Sequence, residues 1–367
     1  MKGPVAIQRT KKESIKHRIQ LLSSLLLEYG LFSIYRLLRD NLLTYLKYGI
    51  IGSTIRIEAS SVCQLKCPKC TVADGKRGII GSGYLRFNDF KEFIDAHPMI
   101  RNVELSNHGE MFLNPELENI VKYASKKKIN LTALNGVNLN TVSERMLEYL
   151  VKYKFKAIVV SVDGATQEIY EIYRRGGHFN TVIQNIKKIN FYKQKYQRKF
   201  PILVWQFVIF GHNEHELPLA KKMAEELNMG FVIRLNWSPS YSPVKNKENV
   251  RREIGYGSRK EYERKFHRVY MPLCYQLWDS PQVNWDGKLL GCCVNRSSDF
   301  GNVFKSGLEK CLKSEKYVYA KKMLLGKEKP RKDIPCLSCA HYKRINPQKM
   351  NPVRGYILRL IDVVKSV

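Results

Sequence analysis

The sequence predicts an α/β fold in which six β-then-α units build a parallel sheet, open or curved into a partial barrel. A cysteine-rich extension follows it and an amphipathic helical arm precedes it. Three observations predict this. Short apolar, β-branched runs alternate with helix-like stretches from residue 54 to about residue 237, the pattern of a parallel sheet whose ligand-binding loops lie at the carboxyl ends of its strands. Six of the nine cysteines fall beyond residue 270, where the alternation stops. Before residue 50, apolar residues recur at helical spacing.

In chain order, residues 1–50 are the arm. Ile15, Ile19, Leu22 and Leu26, then Leu31, Ile34, Tyr35, Leu38, Leu42 and Leu46 mark one face, with Gly30 between the two runs. Nine Lys or Arg against three Asp or Glu make the arm basic, so it can pack on the body or lie on a membrane surface. Residues 51–240 hold the strand candidates Ile55–Ala59, Val103–Ser106, Leu131–Leu134, Ala157–Val162, Ile202–Phe210 and Phe231–Asn236, with helical segments such as Pro115–Lys128 and Glu214–Leu227 between them. Residues 241–270 read as a polar connector, with Pro243 and a charged run from Lys245 to Arg268. Residues 271–345 are the extension; within it Asp286-Gly287 stands between two apolar runs, a strong hairpin signal. Residues 346–367, with Val353, Ile357, Leu360, Ile361 and Val364 on one face, read as a last helix.

Composition narrows the class. A chain of 367 residues with 44% hydrophobic and 26% charged residues has the make-up of a globular protein, not of a disordered, collagen-like or polytopic membrane chain. Its 63 Lys plus Arg against 33 Asp plus Glu leave a net charge of +30, which attracts phosphates, anionic lipid surfaces and acidic substrates without choosing among them. Nine clustered cysteines are too few for a disulfide scaffold in a chain this long, and the start Met1-Lys2-Gly3-Pro4 lacks the apolar core of a signal peptide. The compartment expected is the reducing cytoplasm, with the arm allowing peripheral contact at the inner membrane face. Glu28, Arg36, Arg39 and Asp40 interrupt the longest apolar stretch, so no spanning helix is expected.

The loop after the first strand candidate holds Cys63, Cys67 and Cys70. Three thiolates at that spacing converge on one soft metal centre, either zinc with a fourth ligand from elsewhere or an iron-sulfur cubane with one iron left open. The spacing alone leaves both readings standing. In its context the loop resembles that of the radical S-adenosylmethionine (radical SAM) superfamily, whose Cys-x3-Cys-x2-Cys motif follows the first strand of a partial (β/α)6 barrel. Later strand ends carry the likeness on. Asn107-His108-Gly109-Glu110 is similar to the Gly-Gly-Glu-like motif, which implies that Gly109 and Glu110 hold the methionyl amino group. Leu134-Asn135-Gly136 is similar to the family's Thr-Asn-Gly and Ser161-Val162-Asp163-Gly164 to its Ser-Leu-Asp-Gly, which puts Asn135, Ser161 and Asp163 among the cofactor-binding residues. Arg174 matches a family arginine that pairs with the methionyl carboxylate. Two positions depart from the pattern: Lys69 stands where an aromatic residue often lies near adenine, and His108 where the first glycine is expected.

The remaining cysteines are Cys274, Cys292, Cys293, Cys311, Cys336 and Cys339. On their own, Cys274, Cys292, Cys336 and Cys339 also suit a zinc ribbon. Beside the barrel they look like the shorter form of the SPASM/twitch extension, which implies an auxiliary [4Fe-4S] cluster on those four thiolates. Cys293 can replace Cys292, although its side chain should point to the opposite face of the hairpin. Cys311 reads as a buried helix cysteine.

The resemblance implies an oxidoreductase or related radical-based modifying enzyme. A reduced [4Fe-4S] cluster would cleave S-adenosylmethionine to methionine and a 5′-deoxyadenosyl radical, which abstracts hydrogen from a substrate carbon. An auxiliary cluster with all its irons ligated would accept or relay the electron. The partners expected are a flavodoxin- or ferredoxin-type donor and a small-molecule, glycan or peptide substrate, a lipid-linked carbohydrate among them; His108, His178, His212, His215, Trp237 and Tyr241 are candidate substrate contacts. The alternative is a zinc-stabilised nucleic-acid-binding module. It has only the net charge behind it, because the Lys and Arg residues are dispersed and no stacking platform is evident.

Overall fold

The computed structural model describes residues 39, 41–267, 269–271, 273–345 and 350–353. Seven parallel strands form one open sheet in the order β6-β5-β4-β3-β2-β1-β7. The first six are β1 (Thr54–Ile57), β2 (Asn102–Glu104), β3 (Asn130–Val137), β4 (Ala157–Ser161), β5 (Ile202–Ile209) and β6 (Gly230–Leu235). Each pairs with the next in sequence, as right-handed β-α-β crossovers require. The seventh, β7 (Gln282–Val283), comes from the extension and pairs with the outer side of β1.

Register explains the two faces of this sheet. Arg56 lies opposite both Glu104 and Gln282, and Glu104 opposite Thr132. Thr132 lies opposite Ala157, Ala157 opposite Ile202, Ser161 opposite Gln206, and Val208 opposite Arg234. Because alternate residues of a strand share a face, all of these line one polar side, the concave interior of a partial barrel. The other side carries Ile55, Ile57, Val103, Leu105, Ala133, Ile158, Val160, Leu203, Trp205, Phe207 and Ile209, all buried. Counting the helix of residues 41–48 as α1, the amphipathic helices over it are α2 (Phe87–Ala96), α3 (Leu117–Lys126), α4 (Glu144–Lys152), α5 (Gln167–Tyr173), α6 (Phe179–Lys195) and α7 (Leu217–Glu226). Ser143 caps α4 and Thr166 caps α5 through their side-chain oxygens.

Several expectations need correcting. Asn135 and Gly136 do not end β3: the strand runs on to Val137 through a register shift between Ala133 and Val137. That irregularity accommodates Gly136, where φ is +108° and a Cβ would come within 2.1 Å of Ser161 Oγ. The connector is not loop alone, since it contains α8 (Lys247–Ile254), capped by Asn246, and α9 (Arg259–Phe266), capped by Ser258. Its charged run is the solvated side of two short helices. The Asp286-Gly287 turn is present, but its pairing is reduced to single antiparallel bridges, Val283 to Leu289 and Lys288 to Asn302. Of the arm, residues 41–48 are helical, with Thr44 and Tyr48 buried and Leu42, Leu43, Tyr45 and Leu46 exposed. Residues 1–38 and 40 of the arm, and residues 346–349 and 354–367 of the expected last helix, lie outside the described residues. No helix among the described residues is long and apolar enough to cross a membrane.

Candidate active site

The loop after β1 brings Cys63, Cys67 and Cys70 together as free thiols. The backbone N–H of Cys70 donates to the Cys67 carbonyl at 3.2 Å, and Lys69 between them adopts φ +63°. Lys69 is thereby turned outward and exposed. Burial pushes the Cys63 thiol up to about 12 and raises Cys67 as well, against the pull of the Arg174 guanidinium hydrogen-bonded to it. Desolvated thiols without a disulfide are a poor place for bare thiolate and a good one for thiolate bound to metal, which supplies the missing positive charge. Among the described residues, no three His, Cys, Asp or Glu side chains converge on a point that a single ion could occupy. Thiolates of a cubane each bind their own iron and need no such common point.

Three loops lock onto this one. The Glu110 N–H donates to the Val62 carbonyl at 2.8 Å, and Gly109 lies so close that a Cβ would meet the Ser60 carbonyl oxygen at 2.2 Å. Glu110 is buried; its Oε2 accepts the Asn138 N–H at 2.6 Å and its Oε1 the Phe112 N–H at 3.3 Å, while burial raises its carboxyl to about 7. Each oxygen keeps a second lone pair for an ammonium ligand. Asn138 in turn touches Cys63 Sγ at 3.9 Å and accepts from Gln64 Nε2 at 2.8 Å. Beyond β4, Asp163 is fully buried, taking Arg174 Nε at 2.6 Å and the Val208 N–H at 2.7 Å. Arg174 is thus held between Asp163 and Cys67. Asn135 is exposed and bonded to Asn107, and Ser161 meets Gln206.

We expect Gly109→Ala to force the Glu110 loop off the cysteine loop. Overpacking of this kind typically costs about 1–3 kcal/mol, so binding of S-adenosylmethionine, measured by equilibrium dialysis, should weaken by about tenfold or more.

Two carboxylates outside the sequence motifs organise the same end of the sheet. Glu58, buried just past β1, accepts the backbone N–H groups of His108 and Gly109 at 3.0–3.3 Å. Glu104 accepts from Ser106 and Thr132 hydroxyls, both at 2.6 Å, and from the Leu134 N–H. Their signal was present: Arg56-Ile57-Glu58 and Asn102-Val103-Glu104-Leu105-Ser106 alternate polar with apolar, which puts charge on the inner face. Burial lifts the Glu58 carboxyl to about 8, against the opposing effect of the N–H donors and Arg56. The folded protein therefore keeps a proton that the unfolded chain loses above its ordinary value of 4.5. The associated stability is intact below that value and is lost as pH rises toward 8, by up to about 1.4 kcal/mol per pH unit. Glu58→Gln cannot titrate, so the melting temperature of wild type should fall relative to this variant between pH 5 and pH 8; a constant difference would show Glu58 ionised throughout.

Of the candidate substrate contacts, His108 and His212 have buried Nε2 atoms without a hydrogen-bond partner, whereas His178 and His215 are exposed. Tyr241 packs on Tyr173 and Phe210, and Phe210 stacks on His212 at 5.0 Å. Trp237 is exposed under the Arg259 guanidinium, 3.8 Å from its ring centre.

In the extension, Cys274 and Cys292 are buried, and Cys336 and Cys339 sit on one turn, Cys339 N–H donating to the Cys336 carbonyl at 3.1 Å. Burial pushes Cys274 and Cys336 up to about 12 and Cys292 higher still, and all four sulfurs lie within electrostatic reach of one another. Burial also raises Cys293, which feels Arg56 and Glu58 beside it as well as Gln276 of the extension, and which lies within electrostatic reach of Cys274 and Cys292. Cys311 is buried in α12 (Leu308–Leu312), counting α10 (Gln276–Asp279) and α11 (Val303–Ser306) before it.

Comparison with known proteins settles the family. The radical SAM superfamily model matches residues 57–220, and the SPASM iron-sulfur cluster-binding domain matches residues 274–340. This chain belongs to the radical SAM superfamily. It is an enzyme of that superfamily with a SPASM domain, and its cofactors are [4Fe-4S] clusters and S-adenosylmethionine. No curated protein sequence matches it. Among solved structures, Streptococcus suis SuiB bound to S-adenosylmethionine is similar in fold, with a TM-score of 0.58 and 16% identity over 90% of this chain and 82% of SuiB. SuiB bound to its precursor peptide SuiA gives 0.54 and 15% over 83% and 74%. The nucleic-acid-binding alternative has no support from these matches.

Proposed function

We propose that this radical SAM enzyme abstracts hydrogen from a substrate held on the concave face of the sheet and passes the substrate electron to the auxiliary cluster. When bound, the cluster on Cys63, Cys67 and Cys70 together with S-adenosylmethionine supplies the 5′-deoxyadenosyl radical. The observation that carries this reading is the interlock of Val62, Cys63, Glu110 and Asn138, which ties a three-thiol loop to a buried carboxylate able to take an ammonium group. Glu110 and Gly109 then hold the methionyl amino end, and Arg174, oriented by Asp163, its carboxylate. Asn135 and Ser161 border the same strand ends. With Lys69 turned outward, the aromatic faces of Tyr173 and Tyr241 offer adenine an alternative bed, and Tyr173 lies within electrostatic reach of Cys67 and Cys70.

Cys274, Cys292, Cys336 and Cys339 are the proposed auxiliary ligands, in a division of the chain into a barrel of residues 51–240 and an iron-sulfur extension of residues 271–345. SuiB with its precursor peptide bound supports a peptide among the substrate classes; a glycan or lipid-linked carbohydrate fits the polar face equally. A flavodoxin- or ferredoxin-type donor completes the system, and the exposed Leu42, Leu43, Tyr45 and Leu46 on a basic chain support peripheral contact with a cytoplasmic membrane face. The test is anaerobic: the protein should carry about eight iron atoms per chain, and its reduced electron paramagnetic resonance signal should change when S-adenosylmethionine is added. A signal indifferent to that addition would sink the proposal.

A further inference from the structure

Ionisable groups on the concave face are almost all answered by protein groups. Glu58 and Glu104 take backbone N–H and hydroxyl donors, and Asp163 takes Arg174 and the Val208 N–H. Arg56 donates to Gln282 Oε1 at 3.1 Å and to the Ser106 carbonyl at 3.5 Å. Arg234 on β6 is the exception. Its register opposite Val208 places it on this face, and Val232 is its neighbour along the strand on the same side. Among the described residues its side chain makes no hydrogen bond and no ion pair, and its Nε is buried without a partner. A guanidinium partly removed from water with no acceptor is uncompensated, and its planar fork of N–H groups matches an oxyanion. Asp163, beyond the end of β4, has both oxygens committed, to Arg174 and to the Val208 N–H.

We infer that Arg234 is the anchor for an oxyanion, carboxylate or phosphate, carried by the substrate. This rests on the reading of the concave face as the substrate site and names the class of group the substrate presents there. Arg174 and Arg234 then divide the work, one facing the methionyl carboxylate and the other the substrate.

The test compares anaerobic holoenzyme with its Arg234→Met and Arg234→Lys variants, all saturated with S-adenosylmethionine. Methionine keeps the unbranched stem between two valines and removes an unpaired charge, so this variant should melt no lower than wild type. Inorganic phosphate and acetate are the probes, their binding read from 31P and 13C relaxation. The chain's net charge of +30 attracts anions generally, so the decisive quantity is the difference between proteins. Wild type should bind at least one probe at least fivefold more tightly than Arg234→Met, with Arg234→Lys between them; a preference for phosphate or acetate identifies the group. Equal binding by all three proteins, or none by wild type, overturns the inference. So does an Arg234→Met variant whose affinity for S-adenosylmethionine falls tenfold, because the guanidinium would then serve the cofactor. Iron content and the cofactor-dependent resonance signal, recorded on the same samples, report separately on the radical SAM reading: if these fail in wild type, that reading is wrong whatever the anions do.

Discussion

Cys67→Ala is expected to abolish formation of 5′-deoxyadenosine, leaving only the background of cluster-free protein, while the fold survives. Cys67 is the buried member of the trio and the one in contact with Arg174, whose position depends on Asp163. Removing its thiol takes away one of the three proposed ligands, and two thiolates would not hold a cubane whose fourth iron is without a protein ligand. Iron should fall to about four atoms per chain, those of the extension. The hydrogen bonds that fix the loop are made by Cys70 N–H, Asn138, Gln64 and Glu110, none through the Cys67 side chain except the Arg174 contact. Melting should accordingly shift little once cluster loss is allowed for by comparison with wild-type apoprotein. Turnover within tenfold of wild type would mean that the reactive centre lies elsewhere, and unchanged iron would mean that Cys67 is not a ligand.

How much of this was legible beforehand depends on the kind of signal each residue left. The thiol trio, Gly109-Glu110 and Asp163-Gly164 were readable because their chemistry is carried by residue type at short spacing. Strand order followed from simple β-α alternation. Glu58 and Asn138 were not singled out, since each acts through backbone N–H groups contributed from distant parts of the chain: Glu58 holds residues 108 and 109, and Asn138 joins Cys63 and Gln64 to the N–H that Glu110 accepts. β7 was invisible for a different reason. Two residues of strand carry no periodicity, and Gln282-Val283 pairs only because the extension folds back beside β1. The two helices inside the charged connector were hidden by composition, as few of their residues meet the core.

A double replacement, Cys336→Ala with Cys339→Ala, should separate cofactor cleavage from product formation. Both thiols sit on one turn, so the pair removes half of the proposed auxiliary ligand set at a single place. If the second cluster takes the substrate electron, 5′-deoxyadenosine continues to form in the presence of substrate while product drops below detection by mass spectrometry. A parallel loss of both would point instead to a structural role, and the packing of the extension on the barrel shows the route by which it would act. Trp285 Nε1 donates to the Ile80 carbonyl at 2.8 Å, Lys288 Nζ to the Ile79 carbonyl at 3.2 Å, and Arg296 Nη1 to the Lys76 carbonyl at 2.8 Å. A Cβ on Gly83 would strike the Trp285 ring at 2.6 Å, so the segment after the cysteine trio is clamped directly on the extension. Trp285→Ala loosens that clamp with all four thiols in place and so supplies the control. Cleavage lost in Trp285→Ala but kept in the double cysteine variant would show that the extension supports the first site by packing and the second reaction step by its cluster. Product retained in the double cysteine variant would remove the electron-transfer role altogether.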